Sequence, residues 1–207
     1  MSAYLWNTFC PTLFGTGATQ EVGIKAKELG MSKVMVVTEQ ALMDFKVATQ
    51  VTEVLEKEGL EVFVFAKCQA DAPSAICDEG AAFYREKGAD GIVAVGGGST
   101  LDTAKAIGII ISQHGTTIRD YYHLEEDAHE LKLITMCTTS GTGSEISKWC
   151  VIGDEATGAK EMPVYKPDMA IVDPVLTYSV PARTTAATGM DVLAHCVEAI
   201  TNKNYNP

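Results

Sequence analysis

The chain lacks the features that would direct it to a membrane or to nucleic acid. It has no apolar run long enough to span a bilayer, and no basic N-terminal region followed by an apolar core. The sequence therefore predicts neither a transmembrane helix nor a signal peptide. Positive charge is also scarce, because 16 Lys and Arg stand against 27 Asp and Glu, for a formal net charge of −11. This balance argues against nucleic acid and against an anionic membrane surface as partners.

The cysteines lack the C-x-x-C spacing that is typical of zinc sites and redox motifs. They are Cys10, Cys68, Cys77, Cys137, Cys150 and Cys196. Several lie inside apolar runs, as buried free thiols usually do. We therefore expect reduced core cysteines and a cytoplasmic protein, with no zinc site made of cysteines.

The most informative stretch, Val95–Ala106 with sequence VGGGSTLDTAKA, lacks both familiar phosphate-loop patterns. It has no G-x-G-x-x-G spacing and no Gly-Lys followed by Ser or Thr. Even so, an apolar run at residues 92–95 predicts a strand, and a helical pattern begins at Ser99. Helix N-termini carry unpaired amides and partial positive charge that suit a phosphate. We predict a phosphate site at this turn, with Ser99 as the N-cap and Asp102 as its capping-box partner. An ordinary tight turn is the alternative.

Apolar strands alternate with amphipathic helices along most of the chain. The pattern predicts strands at residues 12–17, 33–38, 60–66, 91–95, 132–137 and 168–173, with a further short one at 147–153, and helices at 18–29, 47–59, 73–87 and 99–112. Continuously apolar strands are expected when helices cover both faces of a sheet. We predict a doubly wound α/β domain with a mostly parallel sheet over residues 1–180. Ligands of such sheets bind beyond the carboxyl ends of the strands.

A second polar loop follows the predicted strand at residues 132–137. Its sequence, TTSGTGSE at residues 138–145, is rich in hydroxyl and amide donors. Because it follows a strand end, we favour a binding loop over an ordinary surface loop. The polar stretch at residues 114–130 predicts a surface excursion, with His114, His123 and His129 exposed to solvent.

The pattern becomes helical after Pro181, which predicts that residues 181–207 begin an all-helical domain. Asp191 and His195 are four residues apart and therefore share one helix face. Such a pair can hold one metal ion. It can equally be an ordinary helix pair or a satisfied buried histidine, and the spacing alone favours this second interpretation.

Three segments in this order resemble the iron-containing, or group III, alcohol dehydrogenase family: GGGSTLDTAKA at 96–106, TTSGTGSE at 138–145 and ATGMDVLAHCVEA at 187–199. The start, PTLFGTGA, and the segment DMAIVDP also match. The resemblance implies an α/β nucleotide domain joined to a helical metal domain. It implies hydride transfer between NAD(P) and a small primary or secondary alcohol or aldehyde, assisted by Fe²⁺ or sometimes Zn²⁺. Glycerol dehydrogenase-like or dehydroquinate synthase-like chemistry remains the alternative within the superfamily.

The resemblance also assigns roles to residues of this chain. The implied cofactor contacts are Gly97, Gly98 and Ser99 at the pyrophosphate, Thr138, Thr139 and Thr142 in the hydroxyl-rich loop, and Ser147, Val151 and Lys160 near the nicotinamide half. Asp191 and His195 match the first two metal ligands, which reverses the preference drawn from their spacing. Glu39 follows the second predicted strand, where an acidic residue favours NAD over NADP by accepting hydrogen bonds from the adenosine ribose. A simple helix cap is the alternative for Glu39.

The family supplies two further histidine ligands from farther along its helical domain. Because this chain ends at Pro207, we expect the N-terminal portion of such an enzyme, with little activity by itself. The alternative is a catalytically inactive nucleotide-binding fragment. Apolar residues of the last helix, such as Leu193 and Val197, are then expected to be exposed, and the resemblance implies a homodimer or larger assembly.

Overall fold

The computed structural model describes residues 10–127 and 129–202, and a six-stranded sheet organises them. Its strands are β1 (Thr12–Phe14), β2 (Lys33–Val37), β3 (Glu61–Phe65), β4 (Gly91–Gly96), β5 (Lys132–Cys137) and β8 (Met169–Val172). They lie in the order β1-β8-β5-β4-β2-β3, and each adjacent pair is parallel. The short strands β6 (Ile152–Gly153) and β7 (Lys160–Glu161) form a separate antiparallel ribbon. The prediction of a doubly wound α/β domain is confirmed.

Six α-helices accompany the strands in the described part of the chain. They are α1 (Val22–Glu28), α2 (Gln40–Asp44), α3 (Val47–Lys57), α4 (Ser74–Lys87), α5 (Gly98–Ser112) and α6 (Ala182–Thr201). A 3₁₀ turn at Ala18–Glu21 precedes α1, so the helix predicted for residues 18–29 has two parts. The sequence pattern did not predict the short helix α2.

Both faces of the sheet are buried, which explains why its central strands are apolar throughout. Successive strand residues point to opposite faces. In β2, Met35 packs in the cluster formed with α4 and α5, whereas Val36 packs in the cluster formed with α1 and α3. Ile92 and Val93 of β4 repeat this alternation. Two helical layers therefore hold the sheet rigid, and its carboxyl edge can carry loops in fixed positions.

The pairing of β4 with β5 sets the position of the two polar loops. Gly96, the last residue of β4, lies opposite Cys137, the last residue of β5. The Thr138 N–H then donates a hydrogen bond to the Gly96 carbonyl at 2.9 Å. The glycine turn and the hydroxyl-rich loop consequently start side by side at the carboxyl edge of the sheet.

The structure corrects two local predictions. The strand expected at residues 147–153 is only partly formed: Trp149 makes an isolated antiparallel bridge with Val164, and Ile152–Gly153 pairs with β7. Between them, side chains of α5 take part in the hydrogen bonds at the Trp149 carbonyl and the Val151 N–H. His129 is not solvent-exposed: its side chain is 22% exposed, and its Nε2 lies 2.9 Å from Asp168 Oδ2. His114 and His123 are exposed as predicted.

The cysteines behave as core residues. All six thiols are free, and only Cys196 is exposed. Burial raises the pKa of Cys10 to about 11 and that of Cys68 and Cys137 to about 12. These thiols are therefore protonated and unreactive at neutral pH. Among the described residues, no helix combines the length and apolarity needed to cross a bilayer.

Candidate cofactor and metal site

Helix α5 begins at Gly98, within the run of three glycines and one residue earlier than predicted. Gly97 is its N-cap residue, and no side chain caps the helix. Ser99 is therefore the second helical residue, and its Oγ accepts a hydrogen bond from the Asp71 N–H at 3.1 Å. The prediction of Ser99 as N-cap with Asp102 as capping-box partner is wrong. The first amides of α5 are left without a side-chain cap, so they remain suited to an anion.

Asp102 instead belongs to a buried polar network with Lys105 on the next turn of α5. The Lys105 Nζ lies 3.5 Å from Asp102 Oδ1, and the Lys105 side chain is fully buried. Lys105 Nζ donates to Ser144 Oγ at 2.9 Å and to the Trp149 carbonyl at 2.7 Å. Asp102 accepts from Ser144 Oγ at 2.6 Å and from the Val151 N–H at 3.1 Å. Two charged side chains of α5 thus hold the loop that follows β5.

Burial opposes charge on both members of this pair, and each partner's charge counteracts that effect. Desolvation raises the pKa of the Asp102 carboxyl, while Lys105 and the hydrogen bonds from Ser144 and Val151 lower it. Desolvation lowers the pKa of the Lys105 ammonium, and Asp102 raises it. A buried pair of this kind is costly when one member is removed, because the other is left uncompensated. The loop position therefore depends on both residues.

Two close approaches fix the loop between α5 and α6. A Cβ added at Gly98 would lie 2.8 Å from Thr142 Cγ2, so only glycine lets the start of α5 pack against that threonine. A Cβ added at Gly141 would lie 2.7 Å from the Thr188 carbonyl of α6. The loop is therefore in contact with α5 on one side and with α6 on the other.

A cleft of about 410 Å³ opens between these elements. Its lining residues are Asp71, Gly98, Ser99, Asp102, Thr142, Ser144, Ser147, Trp149, Val151, Lys160, Asp191 and His195. The cleft brings together both predicted metal ligands and six of the predicted cofactor contacts, which are Gly98, Ser99, Thr142, Ser147, Val151 and Lys160. Sequence reasoning missed Asp71, Ser144 and Trp149, and it gave Asp102 only the role of a capping partner. Ser144 stood inside the polar loop that marked the region, whereas Asp71 and Trp149 had no sequence signal.

Four predicted cofactor contacts lie outside this lining. Gly97 directly precedes Gly98, which lines the cleft, and Thr139 lines a neighbouring cleft of about 370 Å³. Thr138 is buried, and its backbone N–H extends the pairing of β5 with β4 by bonding to the Gly96 carbonyl. Glu39 is half-buried at the N-cap position of α2, but its side chain makes no capping hydrogen bond, and burial raises its pKa. The carboxyl group is therefore not used as a helix cap.

Asp191 and His195 face the cleft from α6. The distance from His195 Nε2 to Asp191 Oδ1 is 3.9 Å. The His195 side chain is 55% exposed and the Asp191 side chain is 41% exposed. A carboxylate and an imidazole on adjacent helical turns are suitable donors for Fe²⁺ or Zn²⁺. The described residues contain no group of three or more His, Cys, Asp or Glu side chains placed to bind a metal. Catalytic zinc sites usually have three protein ligands, so this pair by itself has fewer ligands than such a site.

Helix α6 carries apolar side chains that face solvent. Met190 is 65% exposed, Leu193 58%, Val197 60% and Ile200 72%. The exposure expected for Leu193 and Val197 is confirmed. No residue of this helix is buried, so its apolar surface is available to a further part of the protein or to another chain.

Comparison with known proteins settles the family. The sequence model of iron-containing alcohol dehydrogenases matches residues 11–174. The chain belongs to the iron-containing alcohol dehydrogenase family. The resemblance drawn from the motifs at the glycine turn, the hydroxyl-rich loop and the last helix is confirmed at the level of the family.

Individual family relatives match along nearly the whole of this chain. Choline dehydrogenase of Bacillus subtilis (strain 168) is 38% identical over 201 residues, which cover 93% of this chain and 50% of that protein. NAD-dependent methanol dehydrogenase of Bacillus methanolicus is 38% identical, covering 97% and 54%. The structure of sulfoacetaldehyde reductase from Bifidobacterium kashiwanohense in complex with NAD⁺ superimposes with a TM-score of 0.90 at 30% identity, covering 100% and 56%. The chain spans about half the length of the curated relatives it matches.

The buried pair predicts a stability effect that an exposed pair does not share. Replacing Lys105 by Met leaves the Asp102 carboxylate buried without its counter-charge, so we expect a loss of about 3–5 kcal/mol in the free energy of unfolding. The matched control is Lys33→Met, because Lys33 pairs with Glu61 at 3.5 Å on the surface. There we expect about 0–1 kcal/mol. Urea denaturation measures both, and equal losses in the two variants would contradict the role given to Lys105.

Proposed function

We propose that the protein is an NAD-dependent, metal-assisted oxidoreductase that transfers a hydride between the cofactor and a small primary or secondary alcohol or the corresponding aldehyde. The observation that carries the proposal is one cleft lined both by the start of α5 and by the Asp191–His195 pair of α6. A phosphate site and a metal-ligand pair in the same lining suit a dehydrogenase that holds its cofactor next to a metal. The family membership of the chain supports the same activity.

In this proposal the cofactor lies along the carboxyl edge of the sheet. Its pyrophosphate binds at Gly97, Gly98 and Ser99, where the α5 amides supply partial positive charge. The remaining proposed contacts are Glu39, Thr138, Thr139, Thr142, Ser147, Val151 and Lys160. These local groups must attract the anionic cofactor, because the protein as a whole is acidic, with a formal net charge of −11.

Asp191 and His195 are the proposed metal ligands, for Fe²⁺ or alternatively Zn²⁺. When bound, such a metal acts as a Lewis acid that favours the alkoxide form of the alcohol. For ligation His195 must be neutral and Asp191 ionised. The proposed domain boundary follows from the same arrangement: residues 1–180 form the nucleotide domain, and residues 181–207 begin the helical metal-binding domain.

Two further properties belong to the proposal. The free thiols, five of them buried, support a cytoplasmic location, since cytosolic proteins keep their cysteines reduced. The exposed apolar side chains of α6, together with Phe14 at 73% exposure, support a homodimer or larger assembly. One observation favours a second candidate function, a nucleotide-binding module without catalysis, because the described residues supply only two metal ligands.

Binding of NADH tests the pyrophosphate site. In the parent protein, the new Cβ of Gly98→Ala would clash with the Thr142 side chain, at 2.8 Å from Cγ2 and 3.1 Å from Oγ1. The test therefore uses a Thr142→Ala background, which lacks both of these atoms. We expect Thr142→Ala to bind NADH a few-fold more weakly, and Gly98→Ala in that background to lose about tenfold more, because the methyl group blocks the approach of phosphate to the backbone.

Fluorescence titration with NADH gives both affinities. Gly189→Ala is the matched control, since a Cβ there meets nothing within 4 Å, and it is expected to bind as the parent does. A double variant that binds NADH as tightly as Thr142→Ala would show that the pyrophosphate does not bind at Gly98.

Cofactor choice tests Glu39. Its carboxylate would repel the 2′-phosphate of NADP, so we expect the parent to prefer NADH over NADPH by about 5- to 150-fold. Glu39→Gly is expected to reduce that preference, and Glu39→Gln separates the effect of charge from that of side-chain length. Side-by-side titrations with NADH and NADPH measure the ratio. A parent that binds NADPH equally well would rule out the assignment.

A further inference from the structure

An ion pair lies at the border of the cleft, next to the proposed pyrophosphate site. The Lys160 Nζ on β7 lies 2.8 Å from Asp71 Oδ1, which belongs to the loop between β3 and α4. Both side chains are well exposed, at 63% for Lys160 and 68% for Asp71. Both residues also line a second cavity of about 210 Å³, so the pair separates the main cleft from this neighbour.

The backbone places Asp71 in this position at a conformational cost. Asp71 has φ +63° and Ala72 has φ +44°, both in the left-handed region that side chains with a Cβ rarely adopt. The surrounding hydrogen bonds maintain this geometry: the Asp71 N–H donates to Ser99 Oγ at 3.1 Å, and the Gly153 N–H donates to the Asp71 carbonyl at 2.9 Å. Strained residues that neighbouring elements hold in place are frequent at ligand sites.

The charge of Asp71 is unfavourable for an anionic ligand. Its backbone is hydrogen-bonded to Ser99, in the first turn of α5, where the proposed pyrophosphate binds. A carboxylate in this lining repels phosphate oxygens. It also neutralises Lys160, which is the one lysine among the described residues that line the cleft. Lys105 lies outside that lining, and its ammonium is bound within the buried polar network. An exposed ion pair is weak, so a ligand can displace it.

We propose that Asp71 sets the affinity of the cleft for its dinucleotide by competing for Lys160. In the free protein the carboxylate occupies the Lys160 ammonium. On binding, the ammonium exchanges Asp71 for an oxygen of the cofactor, and the Asp71 carboxylate turns to solvent. The carboxylate therefore weakens binding and allows release of the dinucleotide. This inference rests on the proposed function, because it takes the cleft as the cofactor site.

A double-mutant cycle on the purified protein tests the competition. Asp71→Asn removes the charge but keeps a side chain that tolerates the left-handed backbone. We expect it to bind NADH about three- to tenfold more tightly than the parent. Lys160→Gln is expected to bind NADH more weakly than the parent. When Asp71→Asn is added to Lys160→Gln, we expect less than half of the affinity gain, on a logarithmic scale, that Asp71→Asn gives in the parent, because no ammonium remains to be released.

The matched control is Glu61→Gln, which removes one negative charge from an exposed lysine pair at the opposite, amino end of the sheet. It is expected to leave NADH affinity unchanged. Circular dichroism and thermal unfolding verify that each variant is folded, and Asp71→Gly, which also accepts positive φ, replaces Asp71→Asn if that variant is unstable.

The outcomes separate the inference from the proposed function. If the parent binds NADH and Asp71→Asn binds it no more tightly, the competition is refuted while the cofactor site stands. The same conclusion follows if the full gain persists without Lys160. If neither the parent nor Asp71→Asn binds NADH or NADPH, the proposed function itself fails. Binding that appears only after the Asp71→Asn substitution supports both.

Discussion

The buried contact between Asp102 and Lys105 on α5 and Ser144 in the loop after β5 is the interaction on which the cleft depends. A parallel sheet brings its loops to one edge but does not fix their conformation. Here backbone hydrogen bonds shape the loop, and side chains of α5 hold it against the helix through hydrogen bonds with Ser144, Trp149 and Val151. Because such contacts are strong only when every partner is present, the cleft is either well formed or lost.

The cleft joins two kinds of chemistry that different parts of the chain supply. The start of α5 and the loop after β5 provide helix amides and hydroxyl groups, whereas α6 provides Asp191 and His195. Contact between Gly141 and the Thr188 backbone sets the distance between them. In an acidic protein, an anionic cofactor must be attracted by local groups, and in our proposal Lys160 is the cation that attracts it. The proposed competition by Asp71 would then give a physical reason for reversible binding.

The fold could be predicted from the sequence because apolar periodicity records which faces are buried. The strand and helix alternation, the parallel sheet and the position of the glycine turn all follow from it. Ser99 was misassigned as a cap because capping patterns are local, whereas Asp102 serves a contact with Ser144, 42 residues away. Asp71 was missed for a similar reason: its pairing with Lys160 joins residues 89 positions apart. Long-range polar contacts leave no periodic signal in a single sequence.

Hydrogen–deuterium exchange with and without saturating NADH tests the central claim, that one dinucleotide lies in the cleft at the start of α5. The account predicts slower exchange in peptides covering residues 96–102 and 142–151, because the first amides of α5 become bonded to phosphate and the loop is held between α5 and the ligand. A peptide at the amino ends of the strands, such as residues 28–33 between α1 and β2, should be unchanged. Binding of NADH that leaves residues 96–102 unprotected would contradict the account.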